Sequence, residues 1–165
     1  MPDVTISPKG EDRIRSGHPW VYRSDLAEVN AGRGDVVLVQ GRRKAPLGHA
    51  LYSDRSEIAL RLLTRGHDAP TLATWRAWMD AAISYRESLG IDATAYRLIH
   101  GEADRLPGLV VDRYGDYLVL QALAQTTNRM LPEVTALLVE LLAPAAAPDT
   151  AEEAARARGG PRVAA

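Results

Sequence analysis

The sequence contains no cysteine and no phenylalanine. Without thiols these residues carry no disulfide, no thiolate metal site and no reaction that needs a cysteine nucleophile. No apolar run approaches the roughly 20 residues that cross a bilayer. Met1-Pro2-Asp3 opens without the basic and apolar stretches of a secretory signal, so the expectation is a cytoplasmic protein with no membrane partner. Lysine is nearly missing as well, two Lys against 18 Arg, a bias that a GC-rich coding sequence produces before any selection for anion binding.

What is there can fold. With 165 residues, 46% of them hydrophobic and 25% charged, the chain suits one ordinary domain or two small ones. Its charge is uneven: residues 1–66 hold 11 Lys and Arg against 8 Asp and Glu, and the remainder is acidic, which leaves a net charge of −1. A mildly basic first part is a weak pointer to a nucleic-acid surface.

Over residues 1–66 short β-forming runs alternate with turn residues: Val4 to Ile6, Trp20 to Tyr22, Val36 to Gln40, Leu47 to Tyr52 and Glu57 to Leu63, with a short helix around Gly10 to Ser16. Five strands and one helical piece predict a small β-barrel. The pattern changes at Arg65 to Pro70. Thr71 can then cap a helix whose Leu72, Trp75, Met79, Ala82 and Ile83 share one face. Tyr96 to His100, Leu109 to Val111 and Tyr117 to Leu123 read as strands, the last two joined by a loop from Asp112 to Asp116, and Leu131 to Leu142 as a second helix. The expected fold class is mixed α/β, of the α+β kind: a barrel over 1–66 and an α-β-β-β-α layer over 71–142. Residues 143–165, rich in Ala, Pro and Arg, have too little apolar bulk to offset their ordering entropy and are expected to be disordered beyond a transient helix.

Two clusters carry chemistry. In the first, Lys9, Arg13 and Arg15 precede Gly17-His18-Pro19-Trp20. The cations suit phosphates and the rings suit an unpaired base, although a solvated helix face beside a core Trp20 would look the same. Arg42, Arg43 and Lys44 at a turn, with Arg55, would extend that surface. In the second, Glu102 and Asp104 in one loop and Asp112 and Asp116 in the next could hold a cation or simply form turns. The histidines have no ligand spacing, Gly32-Arg33-Gly34 lacks the strand-to-helix context of a phosphate loop, and no catalytic, cofactor or metal site is expected in this chain.

Taken together, Lys9-Gly10, Arg13, Arg15 to Tyr22, Ile58 to Leu63, Tyr96 to Asp104 and Leu106 to Gly115 resemble the N-terminal part of the bacterial S-adenosylmethionine-dependent methyltransferases that modify C5 of a cytosine in large-subunit ribosomal RNA. The resemblance runs from Val4 to Leu142. It implies a PUA-like RNA-binding domain over 1–66 and a central α+β domain over 71–142 that stops short of its last strands. It also implies that the methyl donor, S-adenosylmethionine, belongs to a Rossmann-like domain with a catalytic cysteine that this sequence does not contain.

The resulting expectation is an RNA-binding fragment, truncated or frameshifted, that contacts ribosomal RNA phosphates through Lys9, Arg13, Arg15, Arg42, Arg43 and Lys44 and a base or groove through His18. Glu102, Asp104 and Asp112 are expected to shape a loop facing the absent domain. The competing readings are a module that docks a separately encoded methyltransferase domain and a product without function. Lost covering strands would leave Leu118 to Leu123 exposed and favour self-association.

Overall fold

The computed structural model describes residues 1–143 together with the backbone of residues 162–164. The barrel region is a six-stranded sheet in the order β2-β6-β5-β4-β1-β3, built from β1 (Asp3–Ile6), β2 (Trp20–Tyr22), β3 (Leu26–Asn30), β4 (Val36–Gln40), β5 (Pro46–Tyr52) and β6 (Ile58–Arg65). Strands β1 and β4 run parallel; the other neighbours are antiparallel. The edge strands β2 and β3 are consecutive in sequence, joined by one 3-10 turn at Arg23–Asp25, so the curled sheet is closed by the chain itself. Val4, Ile6, Val21, Val37, Val39 and Leu60 point inward and form its core with Ile14.

Helix α1 (Pro8–Arg15) crosses this core. Ser7 caps it by accepting a hydrogen bond from the Gly10 N–H at 3.1 Å, and Pro8 occupies the first turn, where its missing N–H costs nothing. Strand β3 has no counterpart in the sequence reading, because Ala27 to Asn30 are all exposed and the alternation that marks a half-buried strand is absent. It forms because β1 offers it a ladder.

The second region follows the expected α-β-β-β-α order. Helix α2 (Leu72–Ser88) opens with a reciprocal capping box between Thr71 and Thr74 and buries Trp75, Met79, Ala82 and Ile83 of the stripe that the spacing predicts, whereas Leu72, in its first turn, is 51% exposed. Its sheet, in the order β10-β9-β8-β7, consists of β7 (Ala95–His100), β8 (Leu109–Tyr114), β9 (Tyr117–Ala122) and β10 (Arg162–Ala164). Helices α3 (Gln125–Arg129) and α4 (Leu131–Leu141) complete it.

The second region departs from expectation in three further places. The loop expected from Asp112 to Asp116 is a tight hairpin: Tyr114 pairs with Tyr117, and only Gly115, at φ +57°, and Asp116 turn the chain. The exposed apolar run expected over Leu118 to Leu123 is largely covered. Leu118 and Leu120 are buried with Trp75, Met79 and Leu138, and only Leu123, at 63% exposure, matches the expectation. Finally, residues 162–164, placed in the disordered tail by composition, form a parallel strand on β9, Val163 opposite Leu118, since an open ladder edge rewards any segment that can extend. The rest of the expected tail, 144–161 and 165, lies outside the described residues.

The change of pattern near Gly66 marks a switch in secondary structure, not a gap in packing. Leu51 of β5 belongs to the core of the second region, with Val36 and Leu63 packed against it. The turn before β4 is tied to α3: Arg129 donates to the Arg33 carbonyl at 3.0 Å and to Asp35 Oδ1 at 3.3 Å.

Candidate nucleic-acid interface

Helix α1 and the turn at Arg42–Lys44 lie side by side, as a shared basic surface requires, and the cations on them are not equivalent. The buried Glu11 carboxylate accepts from the Arg42 backbone N–H at 2.7 Å and from Arg15 Nε at 2.8 Å. The Arg42 N–H, followed by the Arg15 guanidinium, holds the Glu11 carboxyl below the usual carboxylate range. The Arg42 guanidinium also reaches Asp12 at 2.6 Å. Arg13 pairs with the buried Asp25 at 3.2 Å and lies over the Tyr22 ring, 4.6 Å from its centre. Lys44 contacts Thr5 Oγ1 at 2.8 Å and pairs with Glu28, whose carboxyl it lowers.

Four of the six expected phosphate contacts therefore already face a carboxylate. Lys9 and Arg43 do not: both are exposed, and among the described residues neither side chain has an ion-pair partner. Arg43 and Lys44 also sit at φ 58° and 57°, a left-handed conformation that is costly for a residue with a Cβ. The turn is held in that shape by Glu11 on Arg42 and by the Ala45 carbonyl, which accepts from the Gly41 N–H at 2.8 Å.

His18 is part of a packed corner. Its Nδ1 accepts from the Trp20 backbone N–H at 3.1 Å, and its ring meets the indole edge-on at 5.7 Å. Trp20 in turn reaches the second region, donating through Nε1–H to Glu102 Oε1 at 2.9 Å. Arg61 Nη1 joins the same oxygen at 3.2 Å and lies over the indole, 5.8 Å from the ring centre. The two sequence clusters thus meet at Glu102. Spacing within either cluster could not reveal this, nor the part of Arg61, which is an outward residue of a β-strand with no flanking signal.

The other two carboxylates stay within their own region. Asp104 makes a two-pronged bond to Arg86 at 2.6 and 2.7 Å and accepts the His100 N–H at 2.6 Å. Asp112 is clasped by Arg97 at 2.9 and 3.1 Å. Both behave as structural anions, and among the described residues no group of three or more His, Asp or Glu could hold a metal ion. No helix among them is long and apolar enough to cross a membrane.

Comparison with known proteins agrees with this layout. Residues 4–65 match the family described as a PUA-like domain. The chain is 40% identical over 159 residues to a ribosomal RNA large subunit methyltransferase of Deinococcus radiodurans, an alignment that covers 90% of this chain and 37% of that protein. It is 31% identical over 163 residues to the ribosomal RNA large subunit methyltransferase I of Escherichia coli O127:H6, covering 94% of this chain and 41% of the relative. The chain thus spans about two fifths of the length of the curated relatives it matches. Among solved structures, a candidate SAM-dependent methyltransferase from Streptococcus mutans superposes with a TM-score of 0.75 at 18% identity, over 86% of this chain and 38% of that one. A candidate methyltransferase complexed with SAH superposes at 0.76, also at 18% identity, over 86% of this chain and 37% of the other; both likenesses concern the fold. The chain carries a PUA-like domain over residues 4–65 and is homologous, through both of its regions, to the large-subunit ribosomal RNA methyltransferases.

Proposed function

We propose that this chain supplies the RNA-holding part of a ribosomal RNA cytosine-C5 methyltransferase, with structured large-subunit ribosomal RNA as its partner in the cytoplasm. The observation that carries the reading is the PUA-like match over residues 4–65, on a region whose adjacent α1 and Arg42–Lys44 turn leave Lys9 and Arg43 exposed and uncompensated. Such cations displace the counterions condensed on RNA phosphates, and the released counterions drive binding. Lys9 and Arg43 make the principal contacts. Arg13, Arg15, Arg42 and Lys44 divide their charge between their carboxylates and the RNA, and His18 presents its ring edge beside them. Methyl transfer from S-adenosylmethionine to a cytosine C5 by way of a thiolate is not chemistry that these 165 cysteine-free residues contain, so the catalytic step is assigned to protein outside this sequence.

The test is fluorescence anisotropy with a labelled ribosomal RNA hairpin across a salt series. Replacing Lys9 and Arg43 together by Ala is expected to weaken binding for different hairpins alike and to flatten the slope of log K against log salt by up to about two units, since phosphate contacts carry little sequence information. A double variant that binds like the parent at every salt concentration sinks the reading.

A further inference from the structure

A second basic surface adjoins the Trp20–Glu102 contact, from which Arg61 extends into it. A trough runs where the end of β9 passes into α3. One hollow of about 620 Å3 is lined by Arg33, Arg129 and Asn128 together with Leu123 and Gln125. A second, of about 300 Å3, is lined by Ser53, Arg55, Ser56 and Arg61, and it shares Leu123, Ala124 and Gln125 with the first. The shared residues make the two hollows one depression, each of them large enough to enclose a small-molecule-sized group.

No carboxylate lines either hollow, whereas four arginines do. Arg129 and Arg61 are partly neutralised, by Asp35 at 3.3 Å and Glu102 at 3.2 Å. Arg33 and Arg55 are exposed, and among the described residues neither guanidinium has an acidic partner. In a chain with net charge −1 this is a concentration of free positive charge, and its complement is a polyanion. The floor adds chemistry that an ion alone would not use. Leu123 is 63% exposed in the middle of the trough and offers an apolar surface on which an unpaired base can lie.

The walls are held in place. The Arg33 carbonyl is fixed by Arg129, and Gly34, at φ +74°, lets the turn press so closely on α3 that a Cβ there would lie 3.1 Å from Arg129 Cδ. Thr126 Oγ1 donates to the Asp35 carbonyl at 3.5 Å. The trough is therefore a product of the junction between barrel and second sheet, and neither half forms it alone.

We propose that this trough binds a single-stranded segment of RNA, with phosphates on Arg33 and Arg55 and a base or ribose against Leu123 and Gln125. A duplex shows proteins a convex ridge of phosphates and keeps its bases paired, whereas a single strand can enter a concave site and lay an unpaired base on its apolar floor. The proposal rests on the RNA-binding reading above but uses a different set of cations, so the two separate by experiment.

Anisotropy is measured for the full chain with two labelled probes, a single-stranded ten-nucleotide oligouridylate and a blunt RNA hairpin. Arg33→Ala with Arg55→Ala is expected to weaken oligouridylate binding at least fivefold and to lower its salt slope by one to two units, leaving the hairpin within twofold. Lys9→Ala with Arg43→Ala is expected to do the reverse. Both residues of the first pair are exposed, and the Arg33→Lys, Arg55→Lys variant, which keeps the charge, should retain most of the affinity. An unchanged oligouridylate affinity in the Ala pair, or an equal loss on both probes, overturns the trough while leaving the RNA reading intact. Displacement of oligouridylate by polyglutamate of equal charge at the same concentration would assign the trough to acidic peptides and overturn the proposal too. A parent chain that binds neither probe overturns both readings.

Discussion

The indole Nε1–H of Trp20 and the Oε1 of Glu102 are 2.9 Å apart, although 82 positions separate the two residues in sequence. This bond, joined by Arg61 at 3.2 Å, ties the barrel to the 3-10 turn Gly101–Asp104 of the second region. Glu102→Leu leaves two half-buried donors without an acceptor and is expected to cost about 1–3 kcal/mol. Trp20→Phe removes one of those donors, so the double variant should lose less than the sum of the single losses. Chemical denaturation of the four proteins gives the coupling, expected at about 0.5–1.5 kcal/mol. Strict additivity would mean that the two side chains are neighbours without a working bond.

Stability should fall in two stages on acidification. Burial lowers the His49 pKa below its ordinary value near 6.5, so the folded protein holds the ring neutral. A depressed folded value means that the stabilisation is fully present above about pH 6.5 and is lost as pH falls through the folded pKa. Glu11 and Glu28, both lowered, act in a lower window: their contribution is present above about pH 4.5 and is lost below it. Urea midpoints from pH 8 to pH 5 should decline for the parent and stay flatter for His49→Asn. The same decline in both proteins would remove His49 as its cause.

Gly48 leaves no room for a side chain. A Cβ there would lie 2.0 Å from the Thr64 carbonyl oxygen on β6, and the backbone at φ +153° is one that other residues rarely adopt. Gly48→Ala must separate β5 from β6, and a loss of roughly 3 kcal/mol or more is expected. Thermal unfolding measures it. Because Leu51 of the same strand packs into the second core, both regions should lose hydrogen-exchange protection together.

Arg43→Gly separates stability from binding. The left-handed backbone at φ 58° suits glycine, and the relief is partly offset by a more flexible unfolded chain, so stability should be unchanged or rise by roughly 0.5–1 kcal/mol. RNA affinity should fall. A destabilised variant would show that the Arg43 side chain holds the turn.

Much of this fold was legible in one dimension because the signals are local. The Thr71 cap and the Trp75, Met79, Ala82 and Ile83 positions announce α2, although Leu72 of the same stripe is exposed, and the β-forming runs at Val4 to Ile6 and Glu57 to Leu63 announce β1, with one buried face, and β6, which buries residues on both. Strand β3 and the strand at 162–164 were not legible, since their backbone is recruited by ladder edges that distant residues provide.

The absence of cysteine also excludes thiolate chemistry from these residues, and the order of the letters fixes where the cations stand along the chain. Which of those cations are free depends on how the chain packs. Arg13, Arg15, Arg42 and Lys44 look no different from Lys9 and Arg43 as letters, yet the fold brings Asp25, Glu11, Asp12 and Glu28 to the first four. Arg33 and Arg55, unremarkable in sequence, come to rest beside a trough without acids. Charge is a property of a residue, but compensation is a property of pairs, and most of these pairs form across 12 to 41 positions that only folding brings together.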